Sequence, residues 1–492
     1  MLKPSSFTIC PFTCALAMPM VSRTTEETTF TCSSARPSDV PVTRLKATTV
    51  FSRLLMLCCL WLTGSAVAVA EIAASATDGV AGNQPLQLIT AIEFSGNKVT
   101  RERILLQEML VREGDLADPA RIEQSRQAIM DLGLFTSVRA WLEPHESGVV
   151  LRIHVKEKYY ILPIPKLNRD ADGNFSLGAE LSIDNMAGLN QQLKLRYENE
   201  EFDGLSGGRI DSYLISYSYP RVYGTPFLFR SEISQTQQPA EQVTAGLVTS
   251  LYSQVGWVAS AQLSRWLNRQ GPSRGWQLGG GLVWRRNTYD YISGTPTDLF
   301  RDAQAVGITA ITEYIDVRDF LYSRKGIDYG YNGEIGSRTL GSDGAYTRHE
   351  FYYRRYFLLE GAAHQNLDVQ ARLGLSSGGM FPNDTYAYAL GGNKTLRGFR
   401  SSSFTGNSFF VVNAQYLRPL FGYPMFRGVV FVDAGNTYPS NNEMHLGDLN
   451  WDVGIGFRLR LKSFVKIDLR VDAAYAYETG EVRYFAGTKE MF

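Results

Sequence analysis

Residues 452–472 read DVGIGFRLRLKSFVKIDLRVD. Val453, Ile455, Phe457, Leu459 and Leu461 alternate with Asp452, Arg458, Arg460 and Lys462. After Ser463 the pattern resumes, with Val465, Ile467, Leu469 and Val471 set against Lys466, Asp468, Arg470 and Asp472. A period of two sends the two sets to opposite faces of a strand. One face is greasy and the other carries the charges, which suits a ribbon between lipid and a wet lumen. A soluble sandwich would also alternate, but several hundred residues of it would normally form more than one domain.

The same alternation recurs upstream. Leu177, Ala179, Leu181 and Ile183 alternate with Ser176, Gly178, Glu180 and Ser182; Leu193, Leu195 and Tyr197 with Lys194, Arg196 and Glu198; Leu367, Val369, Ala371 and Leu373 with Asp368, Gln370 and Arg372. The expected fold is mainly β: a 16-stranded antiparallel transmembrane β-barrel over residues 174–492, behind one small α+β domain. Strands are expected near residues 174, 190, 209, 225, 241, 254, 274, 303, 326, 345, 365, 408, 427, 450, 464 and 481. Sixteen is even, as single-chain barrels of this kind require. The 335 residues left after residue 157 (492 − 157) allow about 21 per strand with its turn, and a crossing needs about 9–11.

Composition agrees. The mean hydropathy is slightly negative, because alternating strands average their signal away. No run of about 20 apolar residues offers a membrane helix. The 49 basic and 49 acidic residues balance, so no basic footprint points to nucleic acid. Near the N-terminus Arg44, Lys46 and Arg53 precede the apolar run Leu54–Leu62, and Ala68-Val69-Ala70 follow. That is a secretory signal peptide, with residues 1–70 expected to be removed and the part upstream of residue 53 over-extended. Cys10, Cys14, Cys32, Cys58 and Cys59 all precede the expected cleavage point, so neither a disulfide nor a cysteine metal site is expected.

Residues 71–85 read as a linker and residues 86–157 as a β-α-α-β-β unit. Leu88, Ile89, Ile92 and Phe94 form its first strand, closed by Ser95-Gly96-Asn97. Thr100 can cap a helix ending at Gly114; Asp118-Pro119 opens a second that Gly133 stops. Strands at Phe135–Leu142 and Val149–Val155 complete it, and residues 158–173 read as a second linker.

This unit resembles a POTRA domain, through Ile92-Glu93-Phe94-Ser95-Gly96-Asn97, Gly114-Asp115, Leu132-Gly133-Leu134-Phe135 with Val138, and Val155-Lys156-Glu157. In the barrel, Leu396-Arg397-Gly398-Phe399 resembles the VRGF/Y motif of loop six in Omp85 proteins, with Leu396 in place of the common Val. Phe431-Val432-Asp433 on strand thirteen resembles that family's F-x-D motif, and Asp316-Val317-Arg318-Asp319 with Gly326 marks a turn from strand eight to nine. Phe492 resembles the terminal aromatic by which outer-membrane barrels are recognised for insertion.

Val429, Phe431 and Asp433 share one face of strand thirteen. A carboxylate on lipid is costly, so that face should point inward. Loop six, between strands eleven and twelve, is expected to fold inside, with Arg397 paired to Asp433, Gly398 allowing close approach and Phe399 packing on Phe431.

The resemblance implies outer-membrane localisation with the POTRA domain in the periplasm. It also implies assembly of barrel clients or secretion of a partner protein, with clients captured on a POTRA sheet edge. Expected partners are outer-membrane lipids, unfolded or exported client proteins and possible periplasmic chaperones or accessory proteins. The alternative is a structural or pore-forming barrel without clients. Gly374-Leu375-Ser376-Ser377-Gly378 fits G-x-S-x-G but ends a barrel strand, where no strand–turn–helix elbow forms. The five histidines lack metal-pair spacing; neither catalysis nor a cofactor is expected.

Overall fold

A computed structural model describes residues 87–169, 175–202, 204–268, 272–360, 363–381, 386–463 and 468–487. The expected signal peptide, the first linker and Phe492 lie outside the described residues.

The N-terminal domain comprises β1 (Ile89–Ser95), α1 (Glu102–Glu108), α2 (Pro119–Asp131), β2 (Phe135–His145) and β3 (Gly148–Glu157). Its sheet runs β1-β3-β2, with β1 parallel and β2 antiparallel to β3. Asp118 caps α2 by accepting from the Ala120 amide at 2.9 Å, with Pro119 at the first helical position. The core is built on Ile89, Leu105, Ile129, Leu134, Phe135, Leu151 and Ile153.

Helix α1 is shorter than expected and Thr100 does not cap it. The Arg112 guanidinium takes the Leu106 and Met109 carbonyls, ending the helix before Gly114. The Thr100 hydroxyl instead donates to Glu157 at 2.6 Å and accepts from Asn185 at 2.8 Å.

Sixteen antiparallel strands close into a barrel. Strands one to eight are Ile161–Arg169, Phe175–Met186, Gln191–Glu201, Arg209–Tyr219, Phe227–Thr244, Leu247–Trp266, Gly275–Gly294 and Ala303–Asp319. Strands nine to sixteen are Arg324–Gly336, Tyr346–Leu358, Asn366–Ser377, Ser408–Leu420, Tyr423–Tyr438, Asn450–Arg460, Asp468–Ala476 and Val482–Gly487.

The barrel therefore begins at Ile161, inside the segment read as linker 158–173. Pro163 and Pro165 mask this strand in the sequence, since proline marks edges and breaks. The strands expected near 225 and 241 are a single strand five. It crosses its neighbour through Gln235, Thr236 and Gln237, where alternation fades because an 18-residue strand outruns the lipid. One strand gained and one lost leave the count at sixteen and strands eleven to thirteen in their expected places.

Faces follow the alternation. Leu282, Ile308, Val430, Ile455 and Val471 stand exposed on the outer wall, and Glu313, Gln370, Asn413, Asp433 and Asp452 are buried toward the lumen.

Candidate functional site

Loop six joins strands eleven and twelve, carries a short hairpin (Tyr388–Leu390 with Phe404–Gly406), and packs inside the wall. Leu396, Phe399 and Leu390 pack on Phe409 and Val411 of strand twelve and Ala476 of strand fifteen. This apolar footing holds the motif between them against strands thirteen to fifteen.

Arg397 reaches strand thirteen. Its Nε donates to Asp433 Oδ2 and its Nη2 to Asp433 Oδ1, both at 2.7 Å, and its amide adds a contact at 3.3 Å. Both side chains are essentially inaccessible, at 1% and 0% exposure. The guanidinium carbon stands 3.4 Å from the centre of the Phe431 ring, a stacking that a planar guanidinium suits.

Two further carboxylates complete a charge cluster. Asp452 lies opposite Asp433 on strand fourteen and accepts the Gly398 amide at 2.9 Å. Asp472 on strand fifteen is gripped by Arg458 and Arg470, and lies 3.9 Å from Arg397 Nη1. Asn413 bridges Asp433 to the Thr395 carbonyl. Three arginines meet three aspartates, though not one to one: Arg397 holds Asp433, Arg458 and Arg470 share Asp472, and Asp452 accepts the Gly398 amide.

Phe399 does not pack on Phe431. The stacked Arg397 occupies that ring, and Phe399 meets Phe404 edge-on at 5.1 Å. A β-carbon on Gly398 would sit 2.6 Å from Asp452 Cβ and 3.1 Å from the Ala476 nitrogen. Both belong to the wall, so Gly398→Ala must lift the loop. The expected cost is about 1–3 kcal/mol, read as faster tryptic cleavage after Lys394 or Arg397.

The turn motif does not assemble into one site. Gly326 has φ +141°, and a β-carbon there would meet the Asp316 carbonyl, so only glycine fits. Asp319 Oδ1 accepts the Leu321 amide at 2.8 Å. Asp316 and Arg318 lie on the outward-facing parity of strand eight, set by exposed Ile308.

The strand-eight turn also receives the N-terminal domain. Asp131, at the end of α2, accepts the Asp319 amide at 2.9 Å and pairs with Arg274. Burial pushes the Asp131 carboxyl above its ordinary range, against the pull of Arg274 and the Asp319 amide. Glu108 Oε1 accepts from Arg221 Nε and Ser273 Oγ, each at 2.8 Å, and Oε2 from the Ser273 amide at 2.6 Å. Glu108 and Arg221 are 3% and 4% exposed. Asn185 reaches Thr100, the Arg101 amide donates to Gly188 O, and the Tyr159 amide donates to Ser463 O. The domain thus touches the turns after strands two, four, six, eight and fourteen.

Sequence reading did not identify Asp452, Asp472, Arg458, Arg470 and Asn413 as loop partners, nor Glu108 and Arg221 as a docking pair. For the first set a signal existed: each shares the inward parity of its strand with Asp433. Ser376 of the G-x-S-x-G match donates to the Asn407 carbonyl at 2.6 Å on a continuous strand.

The Omp85 superfamily domain matches residues 185–481, and the surface antigen variable number repeat, POTRA, matches residues 88–158. The outer membrane protein assembly factor BamA of Nitratidesulfovibrio vulgaris is 23% identical over 431 residues, covering 80% of this chain and 49% of that protein. This chain thus spans about half the length of that relative. CdiB from Escherichia coli superposes with a TM-score of 0.58 at 15% identity, covering 82% of this chain and 76% of that one. CdiB from Acinetobacter baumannii gives 0.54 at 16% identity, covering 82% and 73%. With a matched domain over most of its length and a POTRA unit ahead of sixteen strands, this chain belongs to the Omp85 superfamily.

Proposed function

We propose that the protein handles other proteins in the outer membrane, inserting barrel clients or translocating an exported partner, with its POTRA domain in the periplasm. No bond is made or broken; the working parts are the barrel seam, loop six and the POTRA sheet edge.

The seam between strands one and sixteen carries this reading. Strand one pairs with strand two through nine residue pairs, from Ile161 with Ile183 to Arg169 with Phe175. With strand sixteen, the described pairing is Ala486 with Arg169. The ladder to strand two runs through Pro163 and Pro165, neither of which has an N–H. Its hydrogen bonds must therefore use the even-numbered residues of strand one, which turns both proline nitrogens toward strand sixteen. That edge lacks two donors where the barrel has to close.

A missing donor in lipid is expensive for a strand but cheap to leave. The strand-one edge thus favours exchange of partners over permanent closure. A client strand supplying its own hydrogen bonds could enter here, its folding providing the free energy. Loop six fixes strands twelve to fifteen as a rigid wall against which the seam moves. The similarity to an assembly factor and to CdiB supports this reading over a pore without clients.

The test uses a disulfide between cysteines placed at Arg169 and Ala486. The native cysteines, at positions 10–59, precede the barrel. The locked barrel should lose at least tenfold in client insertion or export and regain it on reduction. Unchanged activity in the oxidised protein would sink the moving seam.

A further inference from the structure

We propose that the POTRA-side rim of strands eight to twelve binds the phosphate groups of anionic phospholipids. This rests on the reading that the barrel sits in a bilayer, and not on what it does to clients.

Arg318, Lys325, Arg355 and Arg418 carry it. On strand eight the even residues face outward with Ile308; on strand nine the odd residues do so with Ile335; on strand ten Phe351 and Tyr353 set the odd parity. On strand twelve the odd residues Val411, Asn413 and Leu417 are buried inward, leaving Arg418 outside. All four basic side chains therefore stand on the lipid face. Each lies within three residues of its strand's POTRA-side end.

Their arrangement is unfavourable without a counter-charge. Arg318 and Lys325 sit directly opposite each other, and like charges so placed repel. Among the described residues none of the four has an ion-pair partner; Arg355 rests against the Phe357 ring at 5.3 Å. Asp316, two residues from Arg318 on the same face, offsets one of these four charges.

The depth is marked independently. Tyr314 and Tyr329 stack at 5.3 Å, and Trp276 meets both edge-on at 5.4 and 5.7 Å. These are outward aromatics of the kind that gather where a bilayer meets water. Tyr314 is four residues above Arg318 and Tyr329 four above Lys325 on the same faces. At about 3.3 Å per residue and a tilt of about 40°, the basic pair lies roughly 10 Å beyond the aromatics. The polar layer of each leaflet is about 5–8 Å deep, so the basic pair stands at its outer edge, from which the long side chains reach back to the phosphates. Between the basic pair and the aromatics the same face carries Ile327, and Val369 stands opposite Arg355, apolar surface that acyl chains cover without desolvation cost. An amphiphile with an anionic head fits both halves, whereas an acidic soluble protein would fit only the rim.

The test is native mass spectrometry of the full chain released from detergent with equal amounts of phosphatidylglycerol and phosphatidylcholine of matched chains. Retention of phosphatidylglycerol should exceed that of phosphatidylcholine at least tenfold. Each basic side chain near a charged lipid surface contributes about a fivefold factor. The preference should therefore fall stepwise in R318Q and K325Q and vanish in R318Q/K325Q/R355Q/R418Q. A control with R209Q, R301Q and R338Q, at the other end of the barrel, should keep it. Heat-modifiable migration checks that each barrel is folded, and the single variants serve if the fourfold one is not. Equal retention of both lipids by the native protein, an unchanged preference in the variants, or an equal loss in the control overturns the site. Since no client is present, this result stands apart from the proposed seam.

Discussion

Asp433→Ala is expected to release loop six from the barrel wall. The substitution leaves Arg397 buried at 1% exposure; the carboxylates that remain are Asp472 at 3.9 Å, which Arg458 and Arg470 already hold, and Asp452, which accepts the Gly398 amide. Stripping one partner from a buried ion pair costs about 3–5 kcal/mol. The bidentate geometry and the stacking on Phe431 place this pair at the upper end. The loop can escape that cost only by carrying Arg397 into water, so trypsin should cut after Lys394 and Arg397 at least a hundredfold faster than in the native barrel. Arg397→Lys should fall between, because an ammonium cannot contact both carboxylate oxygens in one plane. Asp433→Arg should be as severe as Asp433→Ala, and adding Arg397→Asp should restore part of the protection. A loop equally resistant in native and Asp433→Ala barrels, or no restoration by the exchanged pair, would show that Leu396 and Phe399 alone seat it.

Much of this arrangement was legible in the sequence, for definite reasons. A charged residue in an apolar alternating run has one tolerable direction, so Asp433 reported the lumen face of strand thirteen, and Arg397 was the guanidinium in the loop arriving there. Four features escaped. Pro163 and Pro165 look like breaks until the sheet shows that their bare nitrogens lie on its edge. Strand five keeps no alternation above the lipid, where water wets both faces. The Phe399 partner was misjudged because Arg397 competes for the same ring, and periodicity does not rank two side chains for one surface. The docking pair escaped for another reason. Glu108 ends a seven-residue helix and Arg221 sits in a turn at φ +51°; 113 residues separate them, and neither interrupts a pattern.

That pair sets the second large effect. Glu108→Ala should detach the POTRA domain from the turns after strands four and six. Glu108 accepts three hydrogen bonds from Arg221 and Ser273 while nearly excluded from water. Its loss takes the carboxylate away from the buried Arg221 guanidinium, again about 3–5 kcal/mol. The domain has its own core around Ile89, Leu105, Phe135 and Leu151, so it should stay folded while its docking weakens. Amide exchange discriminates these outcomes. Protection should fall at least tenfold for Ser273, whose amide bonds directly to Glu108, while the core amides of β1 and β3 stay protected. Glu108→Gln keeps one accepting oxygen but turns an NH2 donor toward a position that now accepts a hydrogen bond, so it should fall between the native protein and Glu108→Ala. If the turn stays protected in Glu108→Ala, the Asp131–Arg274 and Thr100–Asn185 contacts hold the domain without it. If the POTRA core exchanges as well, Glu108 belongs to the fold of the domain. The interface is then the weaker boundary of the molecule only in the first outcome. In that case a domain released by the loss of one carboxylate is one that a client, competing for the same turns, could also move.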